Sequence, residues 1–192
     1  MKKTICIDPG HGGHDPGAVG FKREEEDVVV SPESAAGGLG VSERLAHHLR
    51  AKGYDVILTR TDDTFIQLSE RAKIARRNHA DLFVSLHCNS ATSSAAHGIE
   101  AIVYPEQFHG EADLARDILS RIHKQPKGLS LVNRGVKKRR LAVLSGTYNE
   151  MPAVLVELPF ISNKAENELL FDREFREEAS VAIADAVDAF LR

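Results

Sequence analysis

The chain has 192 residues, 42% of them hydrophobic and 28% charged, with a formal net charge of -3. That size and balance suit one ordinary domain with its own core. The slight negative charge weighs against nucleic acid as the main partner, and no apolar run reaches membrane-spanning length.

In chain order, residues 4–8 (TICID) form an apolar strand that runs into the glycine- and proline-rich loop PGHGGHDPGAVG, residues 9–20. Residues 21–30 (FKREEEDVVV) are charged and then β-branched, and read as an excursion or hairpin arm. Ser31, Pro32 and Glu33 have the order of a helix start, with a cap, a first-turn proline and an acid at the positive end. Leu39, Val41, Leu45 and Leu49 continue that helix to Gly53, against the helix-weakening effect of Gly37, Gly38 and Gly40. Strands follow at 55–59, 80–87, 98–104, 141–144 and 152–158, and helices at 67–78, 110–124 and 172–191, with Ser162-Asn163 and Asp172 as caps. The basic run Lys137-Lys138-Arg139-Arg140 reads first as a solvated loop and second as a contact for an anionic substrate. Alternation of strand and helix predicts an α/β fold, one domain over 1–192, with a mainly parallel twisted sheet and helices on both faces. Sites in such folds sit at the carboxyl ends of the strands. A domain-sized chain with a complete core needs no partner to fold, so a monomer is expected.

Cys6 and Cys88 lie in apolar strands and show no CxxC spacing, so they read as reduced, packed thiols. The basic start Met1-Lys2-Lys3 is followed by TICIDPG, which breaks too early for a signal core. Action outside the cytoplasm therefore implies release by another route or removal of a leader.

Three strand ends carry unusual polar residues. His11 follows the first strand, His87 closes ADLFVSLH, and Glu157 sits inside PAVLVEL. Two imidazoles and a carboxylate suit a zinc site with an open position for water. A further carboxylate could take that water's proton. Taken singly, His11 could cap a turn and His87 could be a satisfied core histidine. His14 is a rival ligand whose neighbours favour the loop surface. Glu157 is harder to explain away, because a buried carboxylate is costly unless paired or functional.

The stretches IDPGHGGHDPGAVG, ILTR, ADLFVSLHCNSA, GIEAIVY, RGVKKRRLAVL and PAVLVELPFISNKAENELL resemble, in order, the catalytic domain of N-acetylmuramoyl-L-alanine amidase family 3. The resemblance implies a zinc hydrolase that cuts the amide between N-acetylmuramic acid and L-alanine in peptidoglycan, with one Zn²⁺. By resemblance, His11 and His87 are zinc ligands, Glu157 is the catalytic glutamate, and Asn89 is a polar neighbour behind the ligands.

The family's glutamate ligand falls where this chain carries a longer connection, an insertion about residues 21–32. Local similarity of EEEDVVV favours Glu25, whereas helix length favours Glu33, because the insertion then falls in a loop. Glu33 is the expected ligand and Glu25 its rival. The resemblance also implies action on the bacterial cell wall, as a lysin or autolysin released without a leader. Alternatives of other classes are a different zinc amide hydrolase, such as a peptidase or deacylase, and a metal-free wall-binding domain.

Overall fold

The computed structural model describes residues 2–21, 23–30, 40–106 and 109–192. Strand β1 (Thr4–Pro9) leads into a small hairpin of β2 (Val19–Gly20) and β3 (Arg23–Glu24), then helix α1 (Glu25–Val29). After α2 (Val41–Ala51) come β4 (Asp55–Leu58), α3 (Leu68–Arg77), β5 (Leu82–Asn89), β6 (Ile99–Val103) and α4 (Glu111–Lys124). The chain closes with β7 (Asn133–Lys138), α5 (Ala142–Ser145), β8 (Ala153–Phe160), α6 (Lys164–Leu170) and α7 (Arg173–Leu191).

The main sheet has the order β4-β1-β5-β8-β6-β7. β4, β1, β5 and β8 run parallel, while β6 lies antiparallel to β8 and carries β7 parallel to itself. Side chains alternate between the faces. Leu82, Val84 and Leu86 of β5 enter the large core, which also holds Leu45, Ile118, Phe175 and Ile183 from α2, α4 and α7. Phe83 enters a smaller core with Ile102, Leu155, Val143 and Leu144, on the side of α3 and α5. His87 is two pleats beyond Phe83 on that second face, where the strand outruns its cover.

The α/β class, the mainly parallel sheet and the two helical layers are those expected from the pattern. The caps hold as well. Asn163 accepts from Ala165 N and Glu166 N, and Asp172 accepts from Phe175 N. Of the excursion expected over 21–30, only β3 is a hairpin arm, paired with β2 of the glycine-rich loop, and residues 25–29 are helix α1.

Three expectations change. Residues 141–144 are not a strand. Leu141 is extended and α5 begins at Ala142, burying Val143 and Leu144. A four-residue apolar run cannot distinguish a strand from one helical turn by its period. The basic run is not wholly a loop, since Lys137 and Lys138 end the edge strand β7, where charged side chains face solvent. Helix α2 begins at Val41, because Gly40 is extended at φ -67° and ψ 175°. The earlier part of the expected helix, Glu33 included, lies outside the described residues. No helix among the described residues is long and apolar enough to cross a membrane.

Candidate metal centre

β1 and β5 are hydrogen-bonded neighbours, with Pro9 opposite Leu86, so Gly10 arrives beside His87. A Cβ on Gly10 would lie 2.4 Å from the His87 ring, so the backbone of the loop is packed directly on the imidazole. The next residue, His11, adopts a left-handed backbone at φ 57°, unusual for a residue with a side chain. That turn swings its ring to His87, and the two centroids stand 4.9 Å apart, nearly perpendicular.

The strained loop is held by two arginines. Arg71 of α3 donates to Pro9 O (2.6 Å), His11 O (2.7 Å) and Asp8 Oδ1 (3.0 Å). Arg60 donates to Pro9 O (3.2 Å) and Gly10 O. Asp8 is fully buried and its other contacts are the Thr59 and Ser85 hydroxyls, each at 2.7 Å. A buried carboxylate needs such pairing. Neither Asp8, Arg60 nor Arg71 had been singled out from the sequence. The signal for Asp8 was an acid inside an apolar strand end, TICID; a buried arginine on α3 has none in the local pattern.

Glu25, the first residue of α1, completes the cluster. Its Oε1 lies 3.0 Å from His87 Nδ1 and 3.2 Å from His11 Nε2, and those two nitrogens are 3.1 Å apart. Glu25 is 2% exposed. Cys88 N donates to its Oε1 (2.8 Å) and Ala18 N to its Oε2 (3.0 Å). Among the described residues this is the one group of histidine, cysteine and acidic side chains arranged to hold a metal ion. Glu25, the rival candidate for the third ligand, stands with the two histidines, while Glu33, the first candidate, lies outside the described residues.

Asp15 was also not anticipated. Its Oδ2 lies 3.0 Å from His11 Nδ1, and its Oδ1 accepts from Gly17 N (3.2 Å). A carboxylate on Nδ1 fixes the tautomer that leaves Nε2 as a lone-pair donor toward the cluster. The spacing His11 to Asp15 was visible, but in a loop it carries no contact information. His14 is exposed and packs its ring on Phe65, with centroids 4.1 Å apart, away from the cluster.

Glu157 of β8 is the direct register partner of His87. Burial, with the charges of Glu25 and Glu100 adding to it, pushes its carboxyl from 4.5 up to about 7. Burial works against charge on His11, but Glu25 and then Asp15 outweigh it and raise the imidazole to about 9. His87 is raised too, against its burial, chiefly by Glu25. Burial would raise Glu25, yet the two histidines pull its carboxyl below the usual range. Without an ion, the Glu25 carboxylate thus favours the charged form of both imidazoles.

Asn89 follows a register slip after Cys88 at the end of β5. Its Oδ1 accepts from Ser90 N, and its Nδ2 is buried without a partner among the described residues. It stands beside the site and makes no hydrogen bond to the three clustered residues. Cys6 and Cys88 are free and buried.

The three donor atoms fit zinc. In a tetrahedral site with bonds of about 2.0–2.1 Å, ligand atoms lie about 3.3–3.4 Å apart. The triangle here has edges of 3.0, 3.1 and 3.2 Å, so a slight opening admits the ion and leaves a fourth position free.

The N-acetylmuramoyl-L-alanine amidase family model matches residues 5–189. The chain is 38% identical to the uncharacterized protein YqiI of Bacillus subtilis, over 98% of this chain and 84% of that one. It is 34% identical to N-acetylmuramoyl-L-alanine amidase LytC of the same organism, over 99% of this chain but only 36% of LytC. Among solved structures, amidase AmiC2 of Nostoc punctiforme superposes with a TM-score of 0.87 at 32% identity, covering 100% of this chain and 98% of that one. The catalytic domain of the amidase CwlV from Paenibacillus polymyxa gives 0.84 at 33% identity, with 98% of each chain covered. Sequence, fold and the cluster at the strand ends agree, and the chain belongs to the N-acetylmuramoyl-L-alanine amidase family.

Proposed function

We propose that this protein holds one Zn²⁺ on His11, Glu25 and His87 and hydrolyses the amide between N-acetylmuramic acid and L-alanine in peptidoglycan. The observation that carries the zinc assignment is the triangle of His11 Nε2, Glu25 Oε1 and His87 Nδ1, all within 4.8 Å of one another at the carboxyl ends of the strands. The bond assignment is supported by the names of the relatives.

Zinc there would polarise the lactyl carbonyl and make water acidic enough to attack near neutral pH. The chain's own residues do the rest. Asp15 keeps the His11 proton on Nδ1, so Nε2 stays available. The Cys88 and Ala18 amides hold the Glu25 carboxylate in one orientation. Glu157, beside His87 across the sheet, takes a proton from the attacking water on a carboxylate oxygen and returns one to the departing alanine nitrogen. A carboxyl that burial raises above the ordinary glutamate range is suited to both halves of that transfer. The protein is taken to act on the cell wall as a monomer.

Purified peptidoglycan digested with the zinc-loaded protein should yield stem peptides with a free L-alanine amine, seen by mass spectrometry. A chelator should abolish their release. Cleavage elsewhere in the stem would overturn the bond assignment, and release unaffected by complete metal removal would overturn the zinc assignment.

A further inference from the structure

A row of polar residues crosses the sheet on the face that carries His87. His87 pairs in register with Glu157, and Glu157 pairs with Glu100 of β6. Register partners point to the same side. The Glu100 side chain is only 4% exposed, and it is shared by two arginines. Arg134 Nε stands 2.9 Å from its Oε2, and Arg139 Nη2 stands 3.5 Å from its Oε1. Arg134 is also held by His97 O (3.3 Å) and lies with its guanidinium 5.0 Å from the centre of the Phe160 ring. Both arginine side chains stay open to solvent, at 38% and 55%.

One arginine would neutralise Glu100. The second leaves an excess positive charge, fixed by a buried carboxylate and a ring, at the edge of the cluster's own sheet face. Guanidinium groups held in this way suit a carboxylate better than a freely moving lysine does. β7 lies two strands from Glu157, about 10 Å at the usual strand spacing. An extended peptide advances at most about 3.6 Å per residue. A group bound there while the scissile amide sits at Glu157 is therefore one or two residues beyond the alanine.

We propose that Arg134 and Arg139, positioned by Glu100, form a subsite for a carboxylate of the stem peptide on the leaving side of the cut. This rests on the amidase reading above. The pair would fix the direction of the peptide on the sheet face and discriminate stems with free carboxylates from stems in which they are amidated.

The test is calorimetric binding of the product-like tripeptide L-alanyl-γ-D-glutamyl-L-lysine to the zinc-loaded protein. It is compared with the same peptide amidated at the second residue and with the peptide amidated at its C-terminus. One of the two amidations should weaken binding about tenfold. Arg139→Gln, at an exposed position, should weaken the free-acid peptide by a similar factor and erase the difference between acid and amide. Equal binding of all three peptides to the wild type, no measurable binding of any, or an acid-to-amide difference that survives Arg139→Gln would each overturn the subsite. A wrong amidase reading shows separately, as binding of the tripeptide by a protein that releases no L-alanine amine from peptidoglycan.

Discussion

Glu25 Oε1 and His87 Nδ1 stand 3.0 Å apart, joining the first residue of the five-residue helix α1 to the carboxyl end of strand β5. The contact sets the chemistry of the cluster. It makes Glu25 the carboxylate that two imidazoles can share with an ion, and it raises both imidazoles when no ion is there.

Glu25→Ala is expected to lose bound zinc in metal analysis, and at least a hundredfold in amide hydrolysis, while circular dichroism stays native. Glu33→Ala is expected to keep both metal and activity. The reverse result, with metal lost only on changing Glu33, would return the ligand to the residue that the helix-length argument favoured.

Glu157→Gln should retain stoichiometric zinc and lose about 10²- to 10⁴-fold in turnover, the range of a positioned acid–base group. The acid limb of kcat/KM should lie above the ordinary 4.5 of a glutamate and at or below about 7, since a bound cation pulls the carboxyl down from its ion-free position. Turnover close to that of the unaltered protein in Glu157→Gln would remove the assignment.

Zinc needs neutral imidazoles, and His11 is raised from 6.5 to about 9 when no ion is bound. A raised imidazole gives stability that is complete below 6.5 and lost as pH rises through about 9. The chelator-treated protein should therefore lose thermal stability over that interval. Zinc affinity should climb over the same interval, by up to about tenfold per pH unit for each proton displaced. Calorimetric melting at pH 6.5 and 9, with and without chelator, checks both; a metal-free Tm that does not fall would contradict the pairing of His11 with Glu25.

Arg71→Met should destabilise the fold by about 3–5 kcal/mol, because the fully buried Asp8 keeps two hydroxyls but loses the cation paired with it. The His11 carbonyl loses its Arg71 donor in the same step, and the Pro9 carbonyl keeps only Arg60. Urea denaturation measures the loss, and a change under about 1 kcal/mol would mean that Asp8 is held by its hydroxyls alone.

His11, His87 and Glu157 were legible as a set because each is a polar residue at the end of an apolar strand, and parallel topology gathers such ends. The long elements α4, α7, β5 and β8 were legible for a related reason: hydrophobic periodicity is a property of the local chain. The edge strand β7 and the turn α5 were not. One carries charge because nothing covers it, and the other is too short to show a period.

The sequence alone thus determined the fold class, the strand ends at which the polar residues gather and the family to which the motifs point. Only the tertiary structure brings Glu25 to the two histidines. Local similarity pointed to Glu25 and helix length to Glu33, and what marks Glu25 in the structure is contact with groups elsewhere in the chain. The Cys88 and Ala18 amides and two imidazoles meet its carboxylate. Those partners come from loops and strands whose approach depends on sheet order and on a left-handed turn at His11. Burial and charge pairing at that distance are set by packing, which residue type and spacing along one segment do not encode.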